Sequence, residues 1–194
     1  MKSFYSIFIL IVTISCNAQV PTKEEQIGAA VQAVLENDRD GAKVYGYDPQ
    51  GRLITLRDGN NEMICIADDP NIDGFSVACY HKTLEMFMAR GRELKAEGKN
   101  PAEIFEIRER EVRSGKLKMP KTAATLHVLS GPTAKYNKAT GLVENANLRY
   151  VVYIPYATAE STGLPLKPAV PGGPWIMDPG THRAHIMVTP PAQH

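Results

Sequence analysis

The sequence lacks the short motifs by which the common enzyme classes are recognised. It contains no G-x-S-x-G nucleophile elbow, no H-E-x-x-H zinc motif and no glycine-rich phosphate-binding pattern. An enzyme is not excluded, because the members of a catalytic triad are dispersed in sequence and recognised by their geometry. A triad of Ser161, a histidine and Asp178 is therefore kept as an open alternative.

An excess of charge of either sign is also missing. The chain has 22 lysine and arginine residues against 21 aspartate and glutamate residues, and one of the bases, Lys2, lies in a predicted N-terminal signal. Without that signal the formal charges balance. Proteins that bind nucleic acid carry a basic surface, so no nucleic-acid partner is predicted. We expect residues 19–194 to form a single globular domain.

Long apolar stretches are confined to the first residues. Residues 1–18 combine Lys2, an apolar run up to Ile14 and a small residue before Gln19, which is the pattern of a secretory signal peptide. A lipoprotein signal cut before Cys16, which would then carry lipid, is an equally open alternative. Both interpretations predict an extracytoplasmic protein that is periplasmic, secreted or anchored to the cell envelope. Membrane contact is expected only through such a lipid anchor.

Cysteine is scarce, and this scarcity simplifies the disulfide prediction. The chain has three cysteines, of which Cys16 is removed or lipidated under either interpretation. An oxidising compartment then favours a disulfide between Cys65 and Cys79. Closure of a loop of about 15 residues stabilises a fold by about 3 kcal/mol. A redox-active pair is disfavoured because the C-x-x-C spacing is missing.

The pattern of apolar residues predicts an α+β fold. Thr22 and Glu25 match a capping box, and the apolar spacing that follows predicts an N-terminal helix over residues 23–36. The next segment is expected to form a three-stranded antiparallel meander, because its turns are rich in Asp, Asn and Gly. The three strands are predicted at 42–47, 52–56 and 62–67.

Two charged helices are predicted next. Apolar residues at three- and four-residue steps indicate a helix over 75–97. Asn100, Pro101 and Glu103 form the start of a second helix that ends near Gly115. The mixed charges on this helical hairpin, residues 75–114, are typical of a solvated face. A structural module that binds a partner through the hairpin is kept as an alternative function.

The C-terminal third is predicted to hold three further strands and one long proline-rich loop. The strands are predicted at 124–129, 148–154 and 184–188. Between the last two, six prolines from Pro155 to Pro179 exclude an interior helix or strand. A loop of this length in a compact domain is often functional.

This loop carries the preferred binding site. Aromatic and polar side chains on a loop are typical of ligand surfaces, so the segment 155–182 is expected to bind a small molecule or a protein without catalysis. The candidate binding residues are Tyr156, Glu160, Trp175, Asp178, His182 and His185. A structural alternative is that Trp175 only anchors the loop against the sheet. No cofactor is predicted.

The histidines indicate a metal-assisted hydrolase as the second candidate function. His127 and His185 would share a sheet face with Tyr153 if their strands were neighbours, and a loop carboxylate such as Asp178 could complete a site. Histidines that are hydrogen-bonded within the sheet explain the same pattern, so no metal site is assigned. The acidic run at 68–73 lacks the residue order of an EF-hand loop.

Two segments resemble those of a group of secreted bacterial proteins of uncharacterised function. The first is Cys65-Ile66-Ala67-Asp68-Asp69-Pro70, with a second cysteine shortly after it. The second is Pro174-Trp175-Ile176-Met177-Asp178-Pro179, which leads to Ala184-His185-Ile186-Met187-Val188. The group has no established activity, so the resemblance implies no function. It implies a paired Cys65 and Cys79 and a structured C-terminal loop.

Overall fold

The computed structural model describes residues 20–191, which fold around one mixed β-sheet with helices on both of its faces. The strands are Lys43–Tyr47 (β1), Leu53–Arg57 (β2), Met63–Ile66 (β3), Phe75–His81 (β4), Ala124–Gly131 (β5), Lys135–Asn137 (β6), Leu142–Glu144 (β7), Asn147–Tyr153 (β8), Trp175–Met177 (β9) and His185–Val188 (β10). The helices are Lys23–Ala30 (α1), Glu36–Arg39 (α2), Glu85–Ala96 (α3), Pro101–Arg113 (α4) and Ala159–Thr162 (α5). The eight-stranded sheet has the order β2-β1-β3-β4-β5-β8-β10-β9, and β6 pairs with β7 in a separate hairpin. The predicted α+β class is confirmed.

The N-terminal helix begins where it was predicted and ends early. The Glu25 N–H donates to Thr22 Oγ1 (3.3 Å) and the Thr22 N–H donates to Glu25 Oε2 (3.1 Å), so the capping box is confirmed. Helix α1 stops at Ala30 and passes into a 3-10 turn, whereas the sequence predicted a helix to residue 36. The reason is that Val34 adopts extended backbone (φ −114°, ψ 167°) and places its side chain in the core.

The predicted antiparallel meander is wrong, because β3 pairs with β1 rather than with β2. Strands β1 and β2 are antiparallel, but β3 lies on the other side of β1 and runs parallel to it. The N–H groups of Asn60 and Asn61 donate to the Gly41 carbonyl (2.8 and 3.2 Å), which returns the chain to the start of β1. Only glycine fits at this crossing, since a Cβ atom on Gly59 would lie 2.3 Å from the Lys43 nitrogen.

The first part of the predicted helix over 75–97 is a strand, which is a second correction. Strand β4 and a 3-10 turn precede α3, so only its second half is α-helical. Val77 and Tyr80 match a helical spacing of three, but in a strand an odd spacing sends them to opposite faces, and both are fully buried there. A strand that is covered on both faces can therefore imitate the apolar pattern of a helix.

The second predicted helix and the C-terminal strands are confirmed. Helix α4 begins with Asn100 as its predicted N-cap, where Glu103 completes a capping box, and ends at Arg113, close to the predicted end near Gly115. Strands β5, β8 and β10 occupy the three predicted segments and lie side by side in the order β5-β8-β10. These neighbouring strands place the start and the end of the long loop at one end of the sheet.

The long loop has more structure than the sequence predicted. It contains the short helix α5 and the edge strand β9. The Ile176 N–H donates to the Pro165 carbonyl (3.0 Å), so a proline-rich part of the loop covers the outer edge of β9. Coverage of this kind protects an edge strand from pairing with other chains.

The Cys65–Cys79 disulfide is confirmed, although Cys79 lies on a strand and not on the predicted helix. The two cysteines are directly opposite each other on the antiparallel strands β3 and β4. Both are fully buried. The disulfide therefore links two central strands of the sheet.

The two faces of the sheet are covered differently. On the α1 face, helix α1 and the β6–β7 hairpin pack against Val77 and the disulfide. On the α3–α4 face, residues of the two charged helices pack against Tyr80, Val151 and Tyr153.

Two features of the structure bear on the cellular location of the protein. Among residues 20–191, no helix combines the length and the apolar character needed to cross a bilayer. The disulfide is compatible with an oxidising extracytoplasmic location. The predicted signal over 1–18 and the alternative lipidation site Cys16 lie outside the described residues, so both cleavage interpretations stay predictions.

Candidate functional site

The six predicted binding residues do not line one pocket. Tyr156 lines a groove beside the start of the loop, and none of the other five contributes to its lining. Glu160 is exposed on α5, and Trp175 is half-buried on the edge strand β9. The remaining three, Asp178, His182 and His185, are held by contacts within the fold.

His182 attaches the end of the loop to α4. Its N–H donates to Glu109 Oε2 (2.8 Å), and its ring Nδ1 hydrogen-bonds the same oxygen. The fully buried ring packs against Phe87 and Phe105, with centroid distances of 5.5 and 4.9 Å. Burial lowers the pKa of His182 more than the Glu109 carboxylate raises it. His182 is therefore a structural anchor of the loop.

Glu109 is the residue of this region that sequence reasoning missed. It accepts both hydrogen bonds from His182 and also pairs with Arg113 (2.5 Å). Burial by itself would raise the pKa of Glu109, but the hydrogen bonds from His182 and Arg113 outweigh it and lower the pKa. In sequence, Glu109 stands in a run of alternating charges that is typical of a solvated helix face. Only the packing of a segment 73 residues away reveals its role.

Two arginines, Arg108 and Arg183, also lie between the long loop and the helices α3 and α4. Arg108 is 8% exposed, its guanidinium lies 3.9 Å from the centroid of the Phe87 ring, and burial lowers its pKa to about 10. Arg183 lies 5.0 Å from the centroid of the Phe105 ring and pairs with Asp178 (2.7 Å). Asp178 has left-handed backbone (φ 49°), so it forms part of a turn within the loop itself.

His127 and His185 lie on opposite faces of the sheet, so the prediction that they share a face is wrong. His185 is directly opposite Tyr153 on the α3–α4 face, and its Nδ1 lies 2.7 Å from the Arg183 carbonyl. His127 is opposite Tyr150 on the α1 face, and its Nδ1 lies 3.1 Å from the carbonyl oxygen of Ala33. Strands β5 and β10 both neighbour β8, as the prediction required. His127 lies opposite Tyr150, however, which is three residues from Tyr153, and this odd offset places the His127 side chain on the other face.

The geometry brings together neither of the catalytic sets considered from the sequence. Within residues 20–191, no group of three or more histidine, cysteine or acidic side chains is arranged to hold a metal ion. Ser161 Oγ accepts the Thr158 N–H (2.9 Å) as part of the cap of α5. Asp178, the acid of the triad alternative, pairs with Arg183.

A groove opens between the end of α4 and the start of the long loop, and we call it the Tyr156 groove. Its volume is about 900 Å³. The residues that line it are Val112, Gly115, 117–123 and 154–157. Two of these side chains, Lys118 and Lys121, are cationic, and none is acidic. Most of the others are apolar, so the groove combines apolar walls with a positive rim.

The Tyr156 side of the groove is fixed by the backbone. Tyr156 has left-handed backbone (φ 63°), which is uncommon for a residue other than glycine. Its N–H donates to the Thr181 carbonyl (2.8 Å), and the Gly180 N–H donates to the Ala157 carbonyl (2.7 Å). These bonds join the two ends of the loop. The Arg113 guanidinium, whose charge is paired with Glu109, lies 5.5 Å from the Tyr156 ring centroid.

The charges of the α3–α4 pair are mostly satisfied within the pair. Arg90 contacts Glu93, Glu97 and Glu111 at 2.9 to 3.4 Å. Arg92 donates to Glu85 (2.7 Å) and to the buried Tyr80 hydroxyl. The interpretation of a solvated helix face therefore holds for the exposed charges only, because Arg108 and Glu111 are buried.

Comparisons with known proteins give no relative from which a function could be transferred. No family model, no curated protein and no solved structure matches the chain. The resemblance to uncharacterised secreted bacterial proteins therefore stays a prediction. The function is therefore inferred from the cavities and charges of the fold.

Proposed function

We propose that the protein is a non-catalytic extracytoplasmic module that binds a small anionic amphipathic molecule in the Tyr156 groove. The observation that carries the proposal is a groove of about 900 Å³ with apolar walls, two lining lysines and no lining acid. Ligand sites of this size are typically apolar with a few placed polar groups. The proposal keeps the long loop in the binding role that the sequence predicted, but only its first residues take part.

The chemistry of the groove favours a carboxylate with a hydrocarbon body. Val112, Met119 and Ile154 offer apolar surface, which gains about 25 cal/mol for each Å² removed from water. Lys118 and Lys121 are exposed, so their ion pairs with a carboxylate would be worth about 0.5 kcal/mol each. Most of the affinity therefore comes from burial of the apolar body, and the lysines select the charge.

The loop supplies a rigid wall for this groove. The His182–Glu109 pair and the hydrogen bonds between residues 156–157 and 180–181 hold the start and the end of the loop together. A wall that is already ordered reduces the entropy that a ligand must overcome on binding. The extracytoplasmic part of the proposal is supported by the predicted signal over 1–18 and by the disulfide.

Displacement of a fluorescent anion tests this proposal. Laurate should displace anilinonaphthalene sulfonate from residues 19–194, and uncharged dodecanol should do so less well. Lys118→Gln combined with Lys121→Gln should weaken laurate about fivefold, which corresponds to two exposed ion pairs.

The matched control for this experiment removes two lysines from the other side of the molecule. Lys23→Gln combined with Lys135→Gln changes the net charge equally without touching the groove. Laurate affinity should be unchanged in this control. Equal losses in both double variants, or no displacement by laurate at about 1 mM, would show that the groove is not the site.

A further inference from the structure

A second cavity lies at the opposite end of the α3–α4 face, where α3 stops and leaves the sheet uncovered. We call it the Lys95 cleft, and its volume is about 480 Å³. Its floor consists of Ile66, Ser76, Ser130 and Arg149, which come from the adjacent strands β3, β4, β5 and β8. The loop that joins β3 to β4 forms one wall, and Lys95 from the last turn of α3 forms another.

The floor of the cleft changes from apolar to polar at the point where the helix ends. On β4, buried Tyr80 under the helix is followed on the same face by Ser76, four residues away. On β8, buried Val151 is followed on that face by Arg149. Ser130 is directly opposite Ser76 in the register. Polar groups from neighbouring strands therefore converge on one uncovered patch.

Among the described residues that line the cleft, one cation, Arg149, and two anions, Asp68 and the solvent-exposed Asp73, have no ionic partner. Lys95 and Asp69 neutralise each other at 2.9 Å. Arg149 donates to Ser130 Oγ (2.9 Å), and no carboxylate within residues 20–191 forms an ion pair with it. Asp68 accepts the Ser76 N–H (2.8 Å) and likewise forms no ion pair within that part of the chain. Burial raises the pKa of Asp68, and the neighbouring Asp69 carboxylate adds to this rise.

The spacing of the strands sets the distance between the backbone attachment points of these two charges. Asp68 is bonded to β4, and Arg149 lies on β8, two strands further along the sheet. Adjacent strands are about 4.8 Å apart, so the two attachment points are separated by about 10 Å. Because Arg149 reaches back to Ser130 on β5, the two charges lie closer together than their attachment points, and a molecule that carries an ammonium and a carboxylate close together can bridge them.

We propose that the Lys95 cleft binds a zwitterionic α-amino acid with an apolar side chain. Arg149 and Ser130 hold its carboxylate, and Asp68 accepts from its ammonium group. Ile66 and the exposed Ile72 provide apolar contact for the side chain. A lone anion would leave Asp68 uncompensated and a lone cation would leave Arg149 uncompensated, whereas a zwitterion neutralises both.

Isothermal titration of residues 19–194 with leucine tests this inference. Leucine should bind, whereas leucine amide and N-acetylleucine, each of which lacks one of the two charges, should bind at least tenfold more weakly. Arg149→Gln and Asp68→Asn should each weaken leucine at least tenfold. The Asp68→Asn variant keeps an oxygen that can accept the Ser76 N–H, so the local fold is expected to persist.

The controls separate this site from a general charge effect and from the Tyr156 groove. Arg110→Gln and Asp58→Asn remove the same charges at exposed positions outside the cleft and should leave leucine binding unchanged. The Lys118→Gln and Lys121→Gln double variant should also bind leucine normally. The inference fails if leucine does not bind at about 10 mM, or if N-acetylleucine binds as well as leucine.

Discussion

The two faces of the sheet are held together by different kinds of interaction. On the α1 face most of the buried residues are aliphatic, and the disulfide joins two of the strands. On the α3–α4 face, aromatic rings pack with buried polar groups, among them Arg108, Glu111 and His182. The first face is closed mainly by nondirectional contacts, with a few hydrogen bonds such as those of buried Gln26 to the Tyr47 backbone, whereas the second depends more on hydrogen bonds and ion pairs with defined geometry.

The cavities on the two faces of the sheet also differ in size. The Tyr156 groove and the Lys95 cleft, about 900 and 480 Å³, border the two ends of the α3–α4 layer. The cavities beside α1 are smaller, about 260 and 330 Å³. We infer that the α1 face supports the fold and that the α3–α4 face carries the binding sites.

The disulfide is expected to give the largest stability effect. Replacement of both cysteines, Cys65→Ala with Cys79→Ala, should lower the free energy of unfolding by about 3 kcal/mol, because the link closes a segment with a sequence separation of 14. Urea unfolding of the oxidised protein and the variant measures the loss. Laurate affinity in the absence of urea should stay the same. A loss below about 1 kcal/mol would show that the disulfide contributes little to the stability of the α1 face.

The His182–Glu109 pair is expected to give the next largest effect. Glu109→Gln weakens both hydrogen bonds to His182 and removes the pair with Arg113, so the free energy of unfolding should fall by about 2 kcal/mol. Amide exchange should accelerate over residues 156–182 and stay slow in α1. Glu106→Gln, an exposed position on the same helix, is the control. Unchanged exchange in the loop would contradict the anchoring role of Glu109.

Mild acid is expected to give a smaller and more gradual effect on both faces. Burial lowers the folded-state pKa of His127, His182 and His185 below the ordinary value of about 6.5. The unfolded chain then binds protons at higher pH than the folded protein, so stability is full above about pH 7 and falls as the pH drops through 6.5. Each histidine contributes at most about 1.4 kcal/mol per pH unit. Urea midpoints between pH 7 and pH 5 measure this loss, and a constant midpoint would contradict it.

The elements that were predicted correctly are those whose sequence signals are local. The caps at Thr22 and Asn100 depend on residues three positions apart, and both are present. The disulfide followed from the compartment and from the number of cysteines, so it was predicted even though Cys79 was assigned to the wrong element. The strands of the C-terminal third were marked by apolar runs between turn residues.

The elements that were missed depend on contacts between distant parts of the chain. Strand β4 is covered on both faces, so its apolar pattern gave no alternation to distinguish it from a helix. The parallel pairing of β1 with β3 depends on hydrogen bonds to the Gly41 carbonyl, which no turn motif announces. The same limit applies to Glu109, whose partner His182 is 73 residues away.

Amide chemical-shift mapping of residues 19–194 with laurate and then with leucine tests the division between the two faces most directly. We predict that laurate shifts amides of residues 112–123 and 154–157, and that leucine shifts those of 66–76, 130–131 and 149. The amides of α1 and of the β6–β7 hairpin should keep their positions with both probes. Shifts centred on α1 and that hairpin would contradict the assignment of binding to the α3–α4 face.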